Sequence, residues 1–326
     1  MPSTYTNPVF DDNFPDPTIL HAPDGWYYAY GTQTKRAGRI INLQVARSRN
    51  LVQWEDLGEG LPEKPGWAQQ SQKIWAPHVS QHAGRYYLYY SARRDEADSL
   101  SLAVAVAEAP AGPFVDCGRP LLEGPGFTCI DPMAFDDPAT GRRLLYWGSG
   151  FGPIWVQELA EDRLGFAPGS VAHAVVQPSG SDDVADYHRL IEAAWVHYRA
   201  DSGWYYLFFS GDNCCGAHAH YAVLVARARH ATGPFEVQIA PVLAANDQWR
   251  APGHNCLVTD ATGHDWLAYH AIDPRQPTFD AIDDSEGYSR RVLLVDRLTY
   301  SAAGWPEVAG GSPSWQPRPA PVGEGL

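Results

Sequence analysis

Phe14-Pro15-Asp16-Pro17-Thr18-Ile19-Leu20 sets a carboxylate between two prolines, just ahead of a short apolar run. A turn, Ala22-Pro23-Asp24-Gly25, follows, and then an aromatic strand, Trp26-Tyr27-Tyr28-Ala29-Tyr30-Gly31. The same order of parts returns four times. Trp75-Ala76-Pro77-His78-Val79 leads to Tyr86-Tyr87-Leu88-Tyr89-Tyr90-Ser91, and Asp131-Pro132-Met133-Ala134-Phe135 leads to Leu144-Leu145-Tyr146-Trp147-Gly148-Ser149. Glu192-Ala193-Ala194-Trp195-Val196 leads to Trp204-Tyr205-Tyr206-Leu207-Phe208-Phe209-Ser210. Finally, Gly253-His254-Asn255-Cys256-Leu257-Val258 leads to Trp266-Leu267-Ala268-Tyr269-His270.

With Asp16, Trp75, Asp131, Glu192 and His254 as equivalent markers, the steps are 59, 56, 61 and 61 residues. A near-constant period of this size signals one supersecondary unit that cannot bury its own face alone. Each unit holds several short β runs between Gly/Pro turns, the makings of a four-stranded blade. The sequence therefore predicts an all-β, five-bladed β-propeller, with four-stranded antiparallel blades around a central channel. An open β-solenoid or a two-sheet sandwich is the competing reading.

The repeat runs from about Asp16 to about Val308 of 326 residues, which leaves no room for a second domain, so residues 1–326 are read as one. Residues 1–13 are expected to pair with the last blade and close the ring, removing an open sheet edge. The Pro/Gly/Ser-rich tail from about Gly310 is expected to lie loosely on the surface. Leu100–Ala107 followed by Ala111-Gly112-Pro113-Phe114 is echoed by Tyr221–Ala226 followed by Thr232-Gly233-Pro234-Phe235, which reads as internal duplication. A polar loop from about Pro178 to Arg189 is a candidate rim element. Few helices are expected.

A formal net charge of −14 argues against nucleic acid, whose phosphates demand a basic face. No apolar run is long enough to span a bilayer, and no leader is visible at the start, so the expected compartment is the cytoplasm unless a leader has been removed. The five cysteines show no CxxC spacing, which speaks against a disulfide framework or a zinc site. Aromatics make up 12% of the chain, which suits both strands and sugar-stacking surfaces.

The first strand of each propeller blade lines the central channel, so the five markers converge on one cleft. An Asp-Pro pair alone is most simply a turn opener. Three acids at one repeat phase, Asp16, Asp131 and Glu192, ask for a chemical reason. Glycoside hydrolysis supplies one: an acid protonates the leaving oxygen while a carboxylate activates water or attacks directly. A third carboxylate raises its neighbour's proton affinity and keeps the acid protonated near neutral pH.

These residues carry a resemblance. Pro15-Asp16-Pro17, Ile74-Trp75-Ala76-Pro77, Ile130-Asp131-Pro132, Ile191-Glu192-Ala193 and Pro252-Gly253-His254-Asn255 resemble the pattern of glycoside hydrolase family 43. That family comprises five-bladed propellers acting on arabinose and xylose linkages. The resemblance runs from Asn7 to Pro306. It implies Asp16 as general base, Glu192 as general acid and Asp131 as the residue that tunes and orients the acid. It also implies inversion, with the two catalytic carboxyls roughly 6.5–9.5 Å apart.

Trp147-Gly148-Ser149-Gly150-Phe151 and the run from Tyr205 to Gly216 are similar to the arabinan-cleaving branch. In that branch the axial histidine, here His254, binds a calcium or similar ion, partly through water. From the residues alone, His254 beside Asn255 reads as a hydrogen-bonded core residue, with no second His at ligand spacing. No organic cofactor is implied.

Trp75 is expected as a sugar platform and Arg291 as a sugar contact, with Arg290 the alternative by one residue. Ser149 and Phe151 complete the expected substrate-binding set, and Trp155 is a further rim candidate. The implied substrate is a plant cell-wall oligosaccharide or polysaccharide built of α-1,5-linked arabinofuranose, with exo action favoured over endo. A β-xylosidase or xylan-debranching arabinofuranosidase is the enzyme alternative. A carbohydrate-binding propeller without catalysis is the alternative of another class. The sequence gives no oligomeric state.

Overall fold

Each aromatic run becomes the second strand of a four-stranded antiparallel sheet, hydrogen-bonded between an inner strand and a third strand and buried on both faces by the neighbouring blades. The computed structural model describes residues 3–95, 97, 99–280, 282 and 289–323. Blade one runs Thr18–His21, Tyr27–Gly31, Gln44–Ser48 and Trp54–Glu59. Blade two runs Ile74–His82, Arg85–Arg93, Leu100–Ala107 and Val115–Asp116, with Leu122–Glu123 also on its third strand. Blade three runs Met133–Asp136, Arg143–Trp147, Ile154–Glu158 and His173–Val176. Blade four runs Ile191–Arg199, Trp204–Asn213, His220–Ala228 and Glu236–Val237. Blade five runs Arg250–Thr259, Asp265–Ile272, Arg291–Tyr300 and Pro306–Val308. This is the five-bladed propeller that the repeat predicts. Among the described residues, helix is confined to two 3-10 turns, and none is long and apolar enough to cross a membrane.

The apolar core lies between neighbouring blades rather than inside any one of them. Tyr30, Leu88 and Ala103 join blades one and two, while Leu144, Leu207 and Leu224 join blades three and four. Burying a tyrosine forces its hydroxyl to find an acceptor. Tyr30, Tyr89 and Tyr146 find theirs across the interface, on the carbonyls of Pro110, Arg163 and Ala231 at 2.8, 2.9 and 2.5 Å.

The N-terminal arm closes the ring as expected. Val9 donates its N–H to the Leu293 carbonyl at 2.9 Å, and Phe10 bridges Leu293 on the outer side of blade five. Pro306–Val308 covers the rest of that edge. The tail departs from expectation, because it is tied down. Arg318–Pro319 pairs with Thr4–Tyr5, Ser314 donates its N–H to Asp296 at 3.1 Å, and Val322 donates its N–H to Asp260 at 3.2 Å. Buried carboxylates need donors, and the tail supplies them.

A second repeat governs the channel. One residue near the start of each inner strand is left-handed: Asp16, Ala76, Asp131, Ala193 and His254, with φ between 47° and 59°. Such a conformation costs a non-glycine residue about 1 kcal/mol, so something must hold it. In four of the five the holder is the residue that ends the preceding blade's aromatic run, and in the fifth Asp131 holds the Ala193 N–H at 2.9 Å. Ala76 N–H donates to Thr32 Oγ1 at 2.7 Å, Asp131 N–H to Ser91 Oγ at 3.1 Å and His254 N–H to Ser210 Oγ at 2.8 Å. Asp16 N–H donates to His270 Nδ1 at 3.0 Å. The true phase thus corrects the marker set in two blades: Trp75 and Glu192 each precede the left-handed residue by one position.

Candidate active site

The five latches bring Asp16, Asp131, Glu192 and His254 to one end of the channel, beneath a cavity of about 1120 Å3. Asp16 Oδ2 accepts from Thr32 Oγ1 at 2.5 Å, and its Oδ1 accepts from Arg291 Nη1 at 3.0 Å. Burial alone would raise this carboxyl. The Arg291 guanidinium, the two imidazoles of His254 and His270, and the Thr32 hydroxyl instead hold it well below the usual carboxylate range.

Glu192 lies in the opposite regime. Burial pushes its carboxyl up, and the charge of Asp16 adds to that, against the hydrogen bonds of Ser149 and Tyr221. Ser149 Oγ donates to Glu192 Oε2 at 2.6 Å, and the Tyr221 hydroxyl donates to Oε1 at 2.8 Å. Asp131 is pushed up further, by burial first and then by the charges of Glu192 and Asp16. Its Oδ2 accepts the Ala193 N–H at 2.9 Å, and so holds the backbone beside Glu192. One cavity therefore contains a carboxyl that stays ionised and two that retain protons to higher pH.

Arg291 is the arginine that enters the site; Arg290 turns outward to Asp11 at 2.7 Å. Trp75 and Phe151 line the cavity as expected, and Phe151 is left-handed (φ 63°) and 62% exposed at its mouth. Ser149 lines it too, and its hydroxyl donates to Glu192. Trp155 is not part of the cavity wall; it packs into the core between blades two and three. Val184 and Arg189 bring the 178–189 loop to the rim, where the turn Tyr187–Arg189 is capped by Asp186 accepting the His188 N–H at 2.8 Å.

Several site residues escaped the sequence reading. Thr32 and His270 end aromatic runs at the same phase as Ser91 and Ser210, with Gly148 at that phase in blade three, a signal that was present in the repeat. Tyr221 lies on a third strand and was read only as strand. Phe127, 49% exposed and with its ring nearly parallel to Trp75 at 6.3 Å, carries no motif. Cys214 and Cys215, read as strand-end residues, face the cavity just beyond the Trp204–Asn213 strand.

Among the described residues, no group of three or more His, Cys, Asp or Glu side chains converges on a metal position. His254 Nδ1 lies 3.4 Å from Asp16 Oδ1 and 3.9 Å from Asp131 Oδ2, carboxylates that already have partners. The adjoining Asn255 amide is buried without a hydrogen-bond partner among the described residues, which leaves polar atoms for water. This donor set fits only an ion held by one imidazole and mainly by water.

An extracellular endo-α-(1→5)-L-arabinanase 2 of Bacillus subtilis is 30% identical over 93% of this chain and 71% of its own length. An extracellular exo-α-(1→5)-L-arabinofuranosidase of Cellvibrio japonicus is 26% identical over 90% of this chain and 85% of its own. The crystal structure of a thermostable family-43 glycoside hydrolase superposes with a TM-score of 0.78 at 28% identity, covering 98% of this chain and all of that one. The family model for glycosyl hydrolases family 43 matches residues 5–306. The chain belongs to glycosyl hydrolases family 43 and is a glycosidase.

Proposed function

We propose that the protein hydrolyses α-1,5-linked L-arabinofuranose chains or their oligosaccharides by single displacement with inversion. The observation that carries this reading is the split between Asp16, whose carboxyl hydrogen-bonds Arg291 and Thr32 and is held low, and Glu192, whose carboxyl burial pushes up. Two carboxyls of opposite tendency in one cavity are what an acid and a base require. Asp16 takes a proton from the attacking water, and Glu192 gives one to the leaving oxygen. Asp131 holds the Ala193 backbone beside the acid, and the charge of Asp16 adds to burial in raising the acid's proton affinity.

The cavity exceeds the volume of one pentose, so neighbouring sugars fit along Trp75, Phe127 and Phe151. The arabinan specificity rests on the relatives, which are named for α-1,5-arabinan or its arabinofuranosyl linkages. Both endo- and exo-named proteins occur among them, and exo action is the mode the sequence analysis expects. Their shared description as extracellular weighs lightly against the cytoplasmic expectation and favours its alternative, a secreted enzyme. An ion on His254, if loaded, would supply positive charge beside the acids; metal content of the purified protein and its melting temperature with chelator test this.

Product analysis on debranched linear arabinan, with xylo-oligosaccharides alongside, tests the substrate. Arabinose alone from the start marks exo action, and a ladder of short oligosaccharides marks endo action. Xylose release without arabinan cleavage would overturn the arabinan reading.

A further inference from the structure

Four of the five latches use a side-chain oxygen, and the fifth uses an imidazole. In the blade-five latch His270, fully buried, accepts the Asp16 N–H on Nδ1, which places its proton on Nε2. Burial and the Arg291 charge keep this ring neutral. A serine would serve the latch equally well, as Ser91 and Ser210 do at 3.1 and 2.8 Å. The imidazole adds a flat face, and Tyr221 lies against it, with ring centroids 5.8 Å apart and planes 9° from parallel. Tyr221 is 1% exposed and donates to Glu192 at 2.8 Å. Room for its ring comes from Gly253, where a Cβ would meet the tyrosine Cδ1 at 2.1 Å.

Resting on the reading of Asp16 as base and Glu192 as acid, we propose that His270 and Tyr221 form one stacked positioning unit. It ties the base's backbone to the acid's carboxyl and so fixes the two ends of the displacement relative to each other. Neither residue touches the reacting atoms; each acts through a carboxylate. Near-attack geometry is sensitive to small displacements, and a misplacement of about 1 Å costs up to about 100-fold in rate.

Glu192 is faced by Asp131, Asp16 and Arg291, by the Ser149 and Tyr221 hydroxyls, and by the Cys214 and Cys215 thiols. Of these, Tyr221 and Ser149 hydrogen-bond its carboxyl. A donor to a carboxylate favours the ionised form, so loosening Tyr221 raises the acid's proton affinity.

The test uses His270→Ser, which restores a serine latch, Tyr221→Phe, which keeps the ring and removes the donor, and the double variant. Each single variant should lower kcat about tenfold or more with KM little changed. The double should be no worse than the larger single, because the two residues act as a unit. The alkaline limb of the rate profile should move to higher pH in both. Isotope-edited infrared titration of the Glu192 carboxyl needs no turnover and should move the same way, even in His270→Ser, although the native imidazole bonds Asp16 rather than Glu192.

Wild-type kcat in folded His270→Ser, multiplicative effects in the double, or an unmoved Glu192 titration in His270→Ser would overturn the unit. Failure of the wild type to cleave arabinan would overturn the substrate alone, because the infrared titration still reads the coupling.

Discussion

Two blade junctions hold the equivalent backbone N–H in different ways. Between blades four and five, Ser210 accepts the His254 N–H at 2.8 Å. Between blades three and four, the equivalent position is Gly148, which has no side chain to offer; the Ala193 N–H goes to Asp131 at 2.9 Å instead, and the next residue, Ser149, donates to Glu192 at 2.6 Å. The first junction spends its hydroxyl on the backbone and gains stability. The second has no hydroxyl at that position, hands the backbone to a carboxylate and sets the next residue's hydroxyl on the acid. The same stretch of the repeat holds the ring together in one place and tunes chemistry in another.

That contrast can be broken by substitution. Glu192→Gln should remove the acid and lower kcat by about a thousandfold or more, with substrate binding retained in calorimetry. Retained turnover would dissolve the distinction between the junctions. Ser149→Ala should lower kcat about tenfold and carry the alkaline limb to higher pH, since the carboxylate loses a donor. Kinetics across pH 5–10 would read both effects. Ser210→Ala should act on stability instead, costing about 1–3 kcal/mol because a buried N–H is left without an acceptor. A melt would show a drop of a few degrees, with a smaller effect on kcat than Ser149→Ala has.

The finest test concerns Asp131. Its carboxyl is raised well above the ordinary range by burial and by the charges of Glu192 and Asp16. Stability from such a group is present below the unfolded carboxylate pKa and is lost as pH rises through the raised value. Asn cannot ionise and keeps an acceptor for the Ala193 N–H. Asp131→Asn should therefore melt above wild type at pH 8, with the advantage shrinking on acidification, while activity falls. A lower melting temperature at pH 8 would place the value of Asp131 in the ionised form.

The sequence analysis could see the fold because one unit is repeated almost unchanged, with an aromatic run ending in Thr32, Ser91, Gly148, Ser210 or His270. It could see the acids because they sit where that unit meets the axis. It missed the latch because these residues look like strand ends until the neighbouring blade is placed beside them. The one-residue error at Trp75 and Glu192 has the same origin: the left-handed φ at Ala76 and Ala193 leaves no mark in an alanine. Tyr221 was hidden for another reason. Its strand alternates normally, and only the missing Cβ of Gly253, on the adjacent blade, turns its ring towards Glu192. The looseness assigned to the tail failed because composition does not reveal the buried acceptors Asp260 and Asp296 that bind it.

The central claim is a single displacement driven by Asp16 and Glu192. The most direct measurement is the anomeric configuration of the first product released from linear α-1,5-arabino-oligosaccharides, followed by proton NMR before mutarotation. Release of the β-anomer, lost in both Asp16→Asn and Glu192→Gln, is the predicted result. Release of the α-anomer, or its persistence without either acid, would contradict the account.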